Sequence, residues 1–440
     1  MSHEIAALLM FIFTILLIIV GCHIAWAMGG VAMIFGFLFL GNATFYQCAL
    51  SVYSIVISYE FVAIALFIVM GTLLQRTGMA DRLFEVLHLL MGGLRGGLAV
   101  ATIIICAIFG ACTGIAGASV VTIGLLAYPA MMRSRYNHGL ISGCICAGGG
   151  LGVIIPPSIV IIIYGPNAGV SIATLFTASI VPGLLLSFLY ILYIIAKCYL
   201  NPEMGPPLAL EERSAVSKME LLRKIAINLI PTMFLILAVL GSIAFGIAAP
   251  TEAASFGAIG SLLLCAVYRR LNWESFKLAM LDSTKITAMV VFICLGAKIF
   301  TNIFLSMNGG KLIQSFFTEM GLISPTWVLI GMLGLNFILG CVFDWIGIIF
   351  MLVPLCVPII QKFGFDPIWF GVIFCIVLQI SYMTPPFAYS IFYFRGIAPP
   401  EIKLSEMYIG GIPFVIIQVI AVAILIIFPE ISLWLPRILK

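Results

Sequence analysis

The sequence predicts an all-α polytopic membrane protein made of two inverted repeats, each with a re-entrant helical hairpin and a discontinuous helix. Three observations lead there: composition, a repeat at constant offset, and proline-interrupted apolar segments at equivalent places in both copies. Hydrophobic residues make up 63% of the chain and charged ones 9%, with mean hydropathy +1.25. A soluble domain carries about 25% charged residues, so lipid is the solvent for most of this one. At ~20 apolar residues per crossing there is room for about a dozen membrane elements.

The repeat has an offset of 229 residues. Shifted by that amount, Pro129 meets Pro358, Pro156–Pro157 meet Pro385–Pro386, and Tyr164 meets Tyr393. Arg82–Leu83 fall on Lys311–Leu312, Met91–Gly92 on Met320–Gly321, Cys112 on Cys341 and Cys146 on Cys375, without a gap. Duplicated halves with broken helices at matching positions point to the binding site of a secondary transporter.

Apolar spans are expected near 6–26, 28–43, 51–75, 138–165, 173–198, 225–246, 251–268, 286–305, 367–395 and 408–430. Two further stretches, 97–133 and 326–360, are too long for one crossing and break near their middles, at Gly110–Ser119 and Gly340–Gly347. Each reads as a hairpin whose tip stops inside the membrane, where non-helical backbone survives only if protein or a cavity surrounds it. Amphipathic helices at 79–94 and 308–320 precede the hairpins and are expected to lie along the interface. This gives N-terminal scaffold helices at 1–75, repeat 1 at 76–198, a polar linker at 199–224, scaffold helices at 225–304 and repeat 2 at 305–440.

Charge orients the chain. With the 199–224 linker in the cytoplasm, sixteen of the 21 Lys and Arg residues fall inside; Lys311, Lys362, Arg437 and Lys440 fall outside, and Lys298 lies within a span. That places the N-terminus outside and makes the repeats inverted. Residues 6–26 read as a retained first span, because Met1-Ser2-His3-Glu4 lacks the basic start of a signal peptide. The twelve cysteines have no zinc-like spacing and read as small buried hydrophobes. No GxxxxGK[ST], HExxH or GxSxG occurs, which argues against ATP hydrolysis and an intramembrane protease, so the chain reads as no enzyme. The small net charge, +4, is distributed by membrane side, not as a nucleic-acid face.

The chemistry is expected at the interruptions. Pro156–Pro157, after the glycines at 148–150 and 152, remove a backbone donor and free carbonyls for a cation, and the half-helix starting at Ser158 offers N–H groups to an anion. Thr384-Pro385-Pro386 repeats the arrangement. The first tip, Thr113-Gly114-Ile115-Ala116-Gly117-Ala118-Ser119, supplies hydroxyls and close backbone approach; the second supplies Asp344, read either as an intramembrane functional carboxylate or as an N-cap. Glu60 and Lys298 stand alone in predicted spans and read as a mutual pair, an interface salt bridge, snorkelling groups or substrate contacts.

On the runs Gly-Ala-Ser-Val-Val-Thr at 117–122, AGGGLGVIIPPSIVIIIYG at 147–165 and FDPIWFGVIF with TPP within 365–386, the chain resembles the large membrane subunit (DctM/SiaM-like) of tripartite ATP-independent periplasmic (TRAP) transporters over nearly its whole length. The resemblance implies an elevator-type fold similar to the ion-transporter superfamily, in the bacterial inner membrane. It also implies sodium-driven import of a small organic anion, a carboxylate or sulfonate, delivered by a periplasmic binding protein. A small four-helix membrane subunit (DctQ-like) on a separate chain is implied as partner. Carried onto this sequence, at least two Na+ sites would involve Gly114, Ser119, Gly149 and Pro156, and Asp344, Gly347, Thr384 and Pro385. Substrate contacts would involve Thr113, Gly117, Ser119, Pro157, Ser158, Asp344 and Pro386. Lys298 departs from the pattern, where a small residue is expected. A stand-alone sodium–anion symporter of related fold is the nearest rival; a channel or an intramembrane enzyme would be a different class.

Overall fold

The computed structural model describes residues 3–76, 78–208, 217–311 and 324–439, with no strand among them. The amphipathic helix expected at 308–320 lies almost wholly outside the described residues. The chain opens with α1 (His3–Ile19), α2 (Ile24–Leu40), α3 (Ala43–Val56), α4 (Glu60–Arg76) and α5 (Met79–Met91). The first hairpin is α6 (Gly97–Thr113) and α7 (Ala116–Arg133); the first broken helix is α8 (His138–Gly150) and α9 (Ile159–Ala168); α10 (Ile172–Leu200) follows. After the linker, α11 (Lys218–Lys224) continues through a π-turn into α12 (Ile230–Ala244), followed by α13 (Pro250–Val267) and α14 (Trp273–Ser306). The second hairpin is α15 (Pro325–Gly340) and α16 (Trp345–Lys362), and the second broken helix is α17 (Pro367–Ser381) and α18 (Tyr389–Arg395). α19 (Leu404–Ile427) and the short α20 (Glu430–Ile438) close the chain. Among the described residues, seven helices are long and apolar enough to cross a membrane, or eight if the bent pair α3–α4 is one span.

Four boundaries differ from the sequence expectation, each for a local reason. The first turn comes at 20–23, where His23 caps α2 by accepting from the Ala25 N–H at 3.4 Å, so the first two spans sit earlier than 6–26 and 28–43. The span expected at 51–75 is two helices meeting at 50° around 57–59. Ser217 accepts from the Glu220 N–H at 3.1 Å, a Ser-x-x-Glu start that begins a helix inside the stretch expected to be linker. The span at 286–305 is the end of the 34-residue α14.

The repeat is also longer than the hairpins suggest. Moved back by 229 residues, α14 covers 44–77, the α3–α4 pair, and α13 covers 21–38, which is α2. The packing is exchanged between halves: α4 lies on α13 and α14 on α2, while α7 packs on α18 and α16 on α9. Neither half therefore closes its own core. Tip and break within one half meet through glycine. A Cβ on Gly110 would sit 2.8 Å from Gly152 Cα, and one on Gly340 would sit 2.7 Å from Cβ of Ser381, the residue 229 beyond Gly152.

The linker and α11 are tied to α5 and the turn after it. Gly96 N–H donates to the Gly205 carbonyl and Leu208 N–H to Gly92, both at 2.8 Å, Arg82 stacks on Tyr268 at 4.2 Å, and Lys224 pairs with Glu85 at 2.7 Å. The cysteines are free, and ten of the twelve are buried; Cys22 is exposed and Cys48 half-buried.

Gly110→Val is expected to lower the melting temperature, since overpacking at a backbone contact costs about 1–3 kcal/mol. Gly334→Ala, where an added Cβ meets nothing within 4 Å, is expected to leave it unchanged. Differential scanning fluorimetry on the two purified variants checks the pair.

Candidate functional site

At the first tip, α6 ends on Gly114, whose φ of 62° suits glycine and whose N–H returns to the Gly110 carbonyl at 2.8 Å. Ile115 is extended, so α7 restarts at Ala116. The buried Thr113 and Ser119 hydroxyls face each other across this turn at 3.1 Å and also bond to the Phe109 and Ile115 carbonyls, each at 3.2 Å. Gly149 lies against the backbone of Val120, so α7 begins directly on α8.

At the second tip, α15 stops at Gly340 and Asp344 caps α16, accepting from the Ile346 N–H at 3.2 Å. The capping role is therefore present, and the carboxylate also interacts with the Trp345 N–H. Gly347, one turn on, rests against Met28 of α2.

The breaks carry a device that the prolines did not reveal. The carbonyls at their centres, Val153 and Tyr382, are equivalent under the 229-residue shift, and both are bonded across the gap. Val153 accepts from the Ser158 hydroxyl at 2.6 Å; Tyr382 accepts from the Ser390 N–H at 3.0 Å. Those two carbonyls are occupied by the protein, and so is the Ser158 hydroxyl. Both Pro-Pro bonds are cis. Otherwise the breaks diverge: Pro156, Pro157 and Ser158 are buried, whereas Pro385 and Pro386 are exposed and Thr384, half-buried, donates to the Ile380 carbonyl at 2.9 Å. The second half-helix starts from buried Ala388 at φ 44°, a left-handed conformation that costs an L-residue about 1–2 kcal/mol.

Both tips and both breaks converge on a cavity of about 50 Å³. Gly114, Ile115, Ala116 and Gly117 of the first tip line it, with Asp344 and Trp345 of the second, Val153 and Val160 of the first break, and Tyr382, Tyr389, Ser390 and Tyr393 of the second. Of the residues expected at the site, Gly114, Gly117 and Asp344 reach this wall. Thr113 and Ser119 stand behind the first tip, Gly149, Pro156, Pro157 and Ser158 on the first break, Gly347, Thr384, Pro385 and Pro386 outside the cavity wall.

The tyrosines were missed. The signal was there in the pairing of Tyr164 with Tyr393, yet the two positions have parted: Tyr164 is buried and donates to the Pro367 carbonyl at 3.1 Å, while Tyr393 faces the cavity. Gly117 makes room for it, since a Cβ there would fall 2.7 Å from the Tyr393 ring. The Tyr382 hydroxyl is buried in the same cavity and has no hydrogen-bond partner among the described residues. An unpaired buried hydroxyl is costly unless a ligand meets it. Among the described residues no Lys, Arg or His lines the cavity, and the formal charge in its wall is that of Asp344. No group of three His, Cys, Asp or Glu side chains converges anywhere among the described residues.

Comparison with known proteins follows this geometry. The family model "Tripartite ATP-independent periplasmic transporter, DctM component" matches residues 11–431. The C4-dicarboxylate TRAP transporter large permease protein DctM of Pseudomonas aeruginosa is 32% identical over 382 residues, 86% of each chain. The ectoine TRAP transporter large permease protein TeaC of Halomonas elongata is 32% identical, covering 85% of each. The isethionate TRAP transporter permease protein DctMQ of Oleidesulfovibrio alaskensis is 31% identical over 88% of this chain and 60% of its own length. Among solved structures, MtrF of Neisseria gonorrhoeae superposes with TM-score 0.62 over 88% of this chain and 85% of its own, and YdaH of Alcanivorax borkumensis with 0.60 over 91% and 89%. Both are 14% identical, so that likeness speaks to fold alone.

Tyr382→Phe is expected to leave the ligand-free protein as stable as the parent, or more stable by about 1 kcal/mol, because it removes a desolvated group without a bond. Thermal unfolding in substrate-free buffer checks this, and a loss of more than about 1 kcal/mol would show that the hydroxyl is bonded in the native state.

Proposed function

The chain belongs to the DctM-component family of tripartite ATP-independent periplasmic transporters, and from that premise we propose that this large permease subunit imports a small organic anion by sodium symport. The protein is a multi-pass transporter subunit rather than an enzyme. The observation that carries the proposal is the meeting of both tips and both breaks on one cavity whose formal charge is negative.

That charge supplies a coupling logic. An anion entering beside Asp344 meets a like charge in a low-dielectric site, where repulsion is far stronger than in water. A cation bound first neutralises the carboxylate and makes room for the anion. Hard cations take oxygen ligands, and the Thr113–Ser119 hydroxyl pair and the Asp344 carboxylate supply oxygens at the two tips. The sodium is cargo here, moved with the substrate. The anion itself would be held by the phenol hydroxyls of Tyr382, Tyr389 and Tyr393 and by the N–H groups opening α7 and α16. Relatives named for C4-dicarboxylate and isethionate support a small organic acid as substrate.

In this reading the two hairpins and two broken helices move as one body against a scaffold of α1–α4 and α12–α14, which is an elevator mechanism. The linker faces the cytoplasm of a bacterium, and the N-terminus faces the periplasm across the inner membrane. The family's tripartite arrangement supports a small four-helix membrane subunit on a separate chain and a periplasmic binding protein as partners. A stand-alone symporter of related fold would instead transport without either, and reconstitution with and without the binding protein separates the two.

Sodium is expected to raise the melting temperature saturably over potassium at matched ionic strength, because a cation bound by the native fold alone stabilises it. Asp344→Asn keeps a capping side chain and should abolish most of that rise; Asp344→Ala loses the cap as well, at about 0.5–2 kcal/mol. Ser119→Ala should weaken sodium dependence more than it lowers expression. An undiminished sodium response in both Asp344→Ala and Ser119→Ala would overturn the assignment of these sites.

A further inference from the structure

A second polar cavity, of about 130 Å³, lies between the scaffold and the elements that carry the tips. Its scaffold wall is Ser54, Ser58 and Glu60 around the α3–α4 bend and Lys298 on α14. The opposite wall is α9, through Ile162, Pro166 and Asn167, and Phe350 on α16.

The surroundings explain why it is polar. Ser306, Asn302 and Lys298 recur every fourth residue on α14 and so share one face. The first two are matched by α3: Gln47 donates to the Ser306 hydroxyl at 3.0 Å and Asn302 to the Ser51 hydroxyl at 2.7 Å. One turn further the ladder loses its partner strand of side chains, because α3 ends at Val56 and α4 departs at 50°. Lys298 is left half-buried facing the cavity, and among the described residues it makes no ion pair. Glu60 faces the same space, its carboxylate accepting from the Ser58 hydroxyl. Asn167 has its amide N–H on the Ile163 carbonyl at 2.8 Å, which leaves its carbonyl oxygen as an acceptor. Neither charge has a counterpart in the other repeat, where Val69 and Met289 stand at the matching positions. The pair is therefore specific to this cavity and not part of the duplicated machinery.

We propose that this cavity is a binding site, separate from the one at the tips, for a small acid that carries both a carboxylate and a hydrogen-bond donor. The carboxylate sits on the Lys298 ammonium, and the hydroxyl or ammonium of a hydroxy- or amino-carboxylate sits on Glu60. The chemistry follows from what each wall group lacks. Lys298 offers three donors and has no acceptor; Glu60 retains open lone pairs and accepts from a donor. A dicarboxylate satisfies the lysine but sets its second charge against Glu60. A plain halide meets only the lysine. The volume admits a few waters or one molecule of that bulk, at about 30 Å³ per water. Since α9 and α16 also reach the tip cavity through Val160 and Trp345, a solute here touches the scaffold and the tip-bearing helices at once.

The test uses the full chain in lipid nanodiscs at pH 7, with sodium and ionic strength fixed, so that it is independent of the sodium sites. Melting temperature is followed against glycolate, β-alanine, succinate and chloride. Glycolate or β-alanine is expected to raise it saturably by ~2 °C, with succinate giving less than half that rise and chloride none. Lys298→Met should abolish the rise, and Glu60→Gln should bring succinate level with glycolate. If Lys298→Met does not fold, the doubly neutral Lys298→Met/Glu60→Gln replaces it, and the comparison of probes on the parent protein stands by itself. A rise that persists in Lys298→Met, succinate matching glycolate on the parent, or no rise with any probe overturns the proposal.

Discussion

Backbone polar groups inside a bilayer must be bonded, and around its central cavity this fold interrupts its described backbone at two tips and two breaks. Everything else follows from how the interruptions are covered. Gly114 N–H returns to Gly110, the Asp344 carboxylate meets the Ile346 N–H, Ser158 closes onto Val153 and Ser390 onto Tyr382. What remains open must face protein or a cavity. Each half accordingly lends its restarted helix to the other, α7 onto α18 and α16 onto α9, and the four interruptions meet at one place. The site is a consequence of satisfying the backbone, and its location between the halves is what lets both act on one solute.

Duplication set the positions, and divergence set the chemistry. The first tip offers hydroxyls and glycines, the second a carboxylate. The first proline pair is buried and the second exposed. Tyr164 became a packing residue anchored to the Pro367 carbonyl, while its counterpart Tyr393 turned to the cavity. Two copies with identical chemistry would give a symmetric pore lining. Concentrating the formal charge on one tip instead gives the cavity a net sign, and a site with a net sign links the binding of opposite charges.

Much of this was legible in the sequence because it rests on local constraints. Pro-Pro pairs and glycine clusters mark interruptions whatever surrounds them, so the hairpin tips and broken helices sit where Pro156, Gly114 and Pro385 place them. Relations between distant segments were not legible. Ser158 looked like an open half-helix start, and only the fold shows its hydroxyl on the Val153 carbonyl. Tyr382 lay within the second break and Tyr389 just beyond it, yet neither was singled out, since nothing local distinguishes a tyrosine that packs from one that lines a cavity. The α3–α4 bend was missed because Ile55–Phe61 is apolar enough to continue a helix, with only Ser58 and Glu60 intervening.

At that bend the two repeats differ in backbone, bent in the first copy and straight in the second, and the difference bears on Lys298. α14 is unbroken for 34 residues, about 51 Å, so it overreaches a ~30 Å hydrocarbon core and can place Glu274, Lys277, Asp282 and Lys285 beyond it. Lys298 is different: it lies two turns, about 12 Å, inside the Ser306 end. At the bilayer centre a lysine costs about 2.5–3.5 kcal/mol even by the mildest measure, so one within a span calls for polar surroundings. A straight α3–α4 would press an apolar face against it and leave the ammonium without water or acceptor. Bending the first copy by 50° opens polar space beside Lys298 and brings the Glu60 carboxylate to its edge. The bend and the charge thus belong together: the straight α14 of the second copy carries Lys298, and the bent α3–α4 of the first supplies the space and the Glu60 carboxylate beside it.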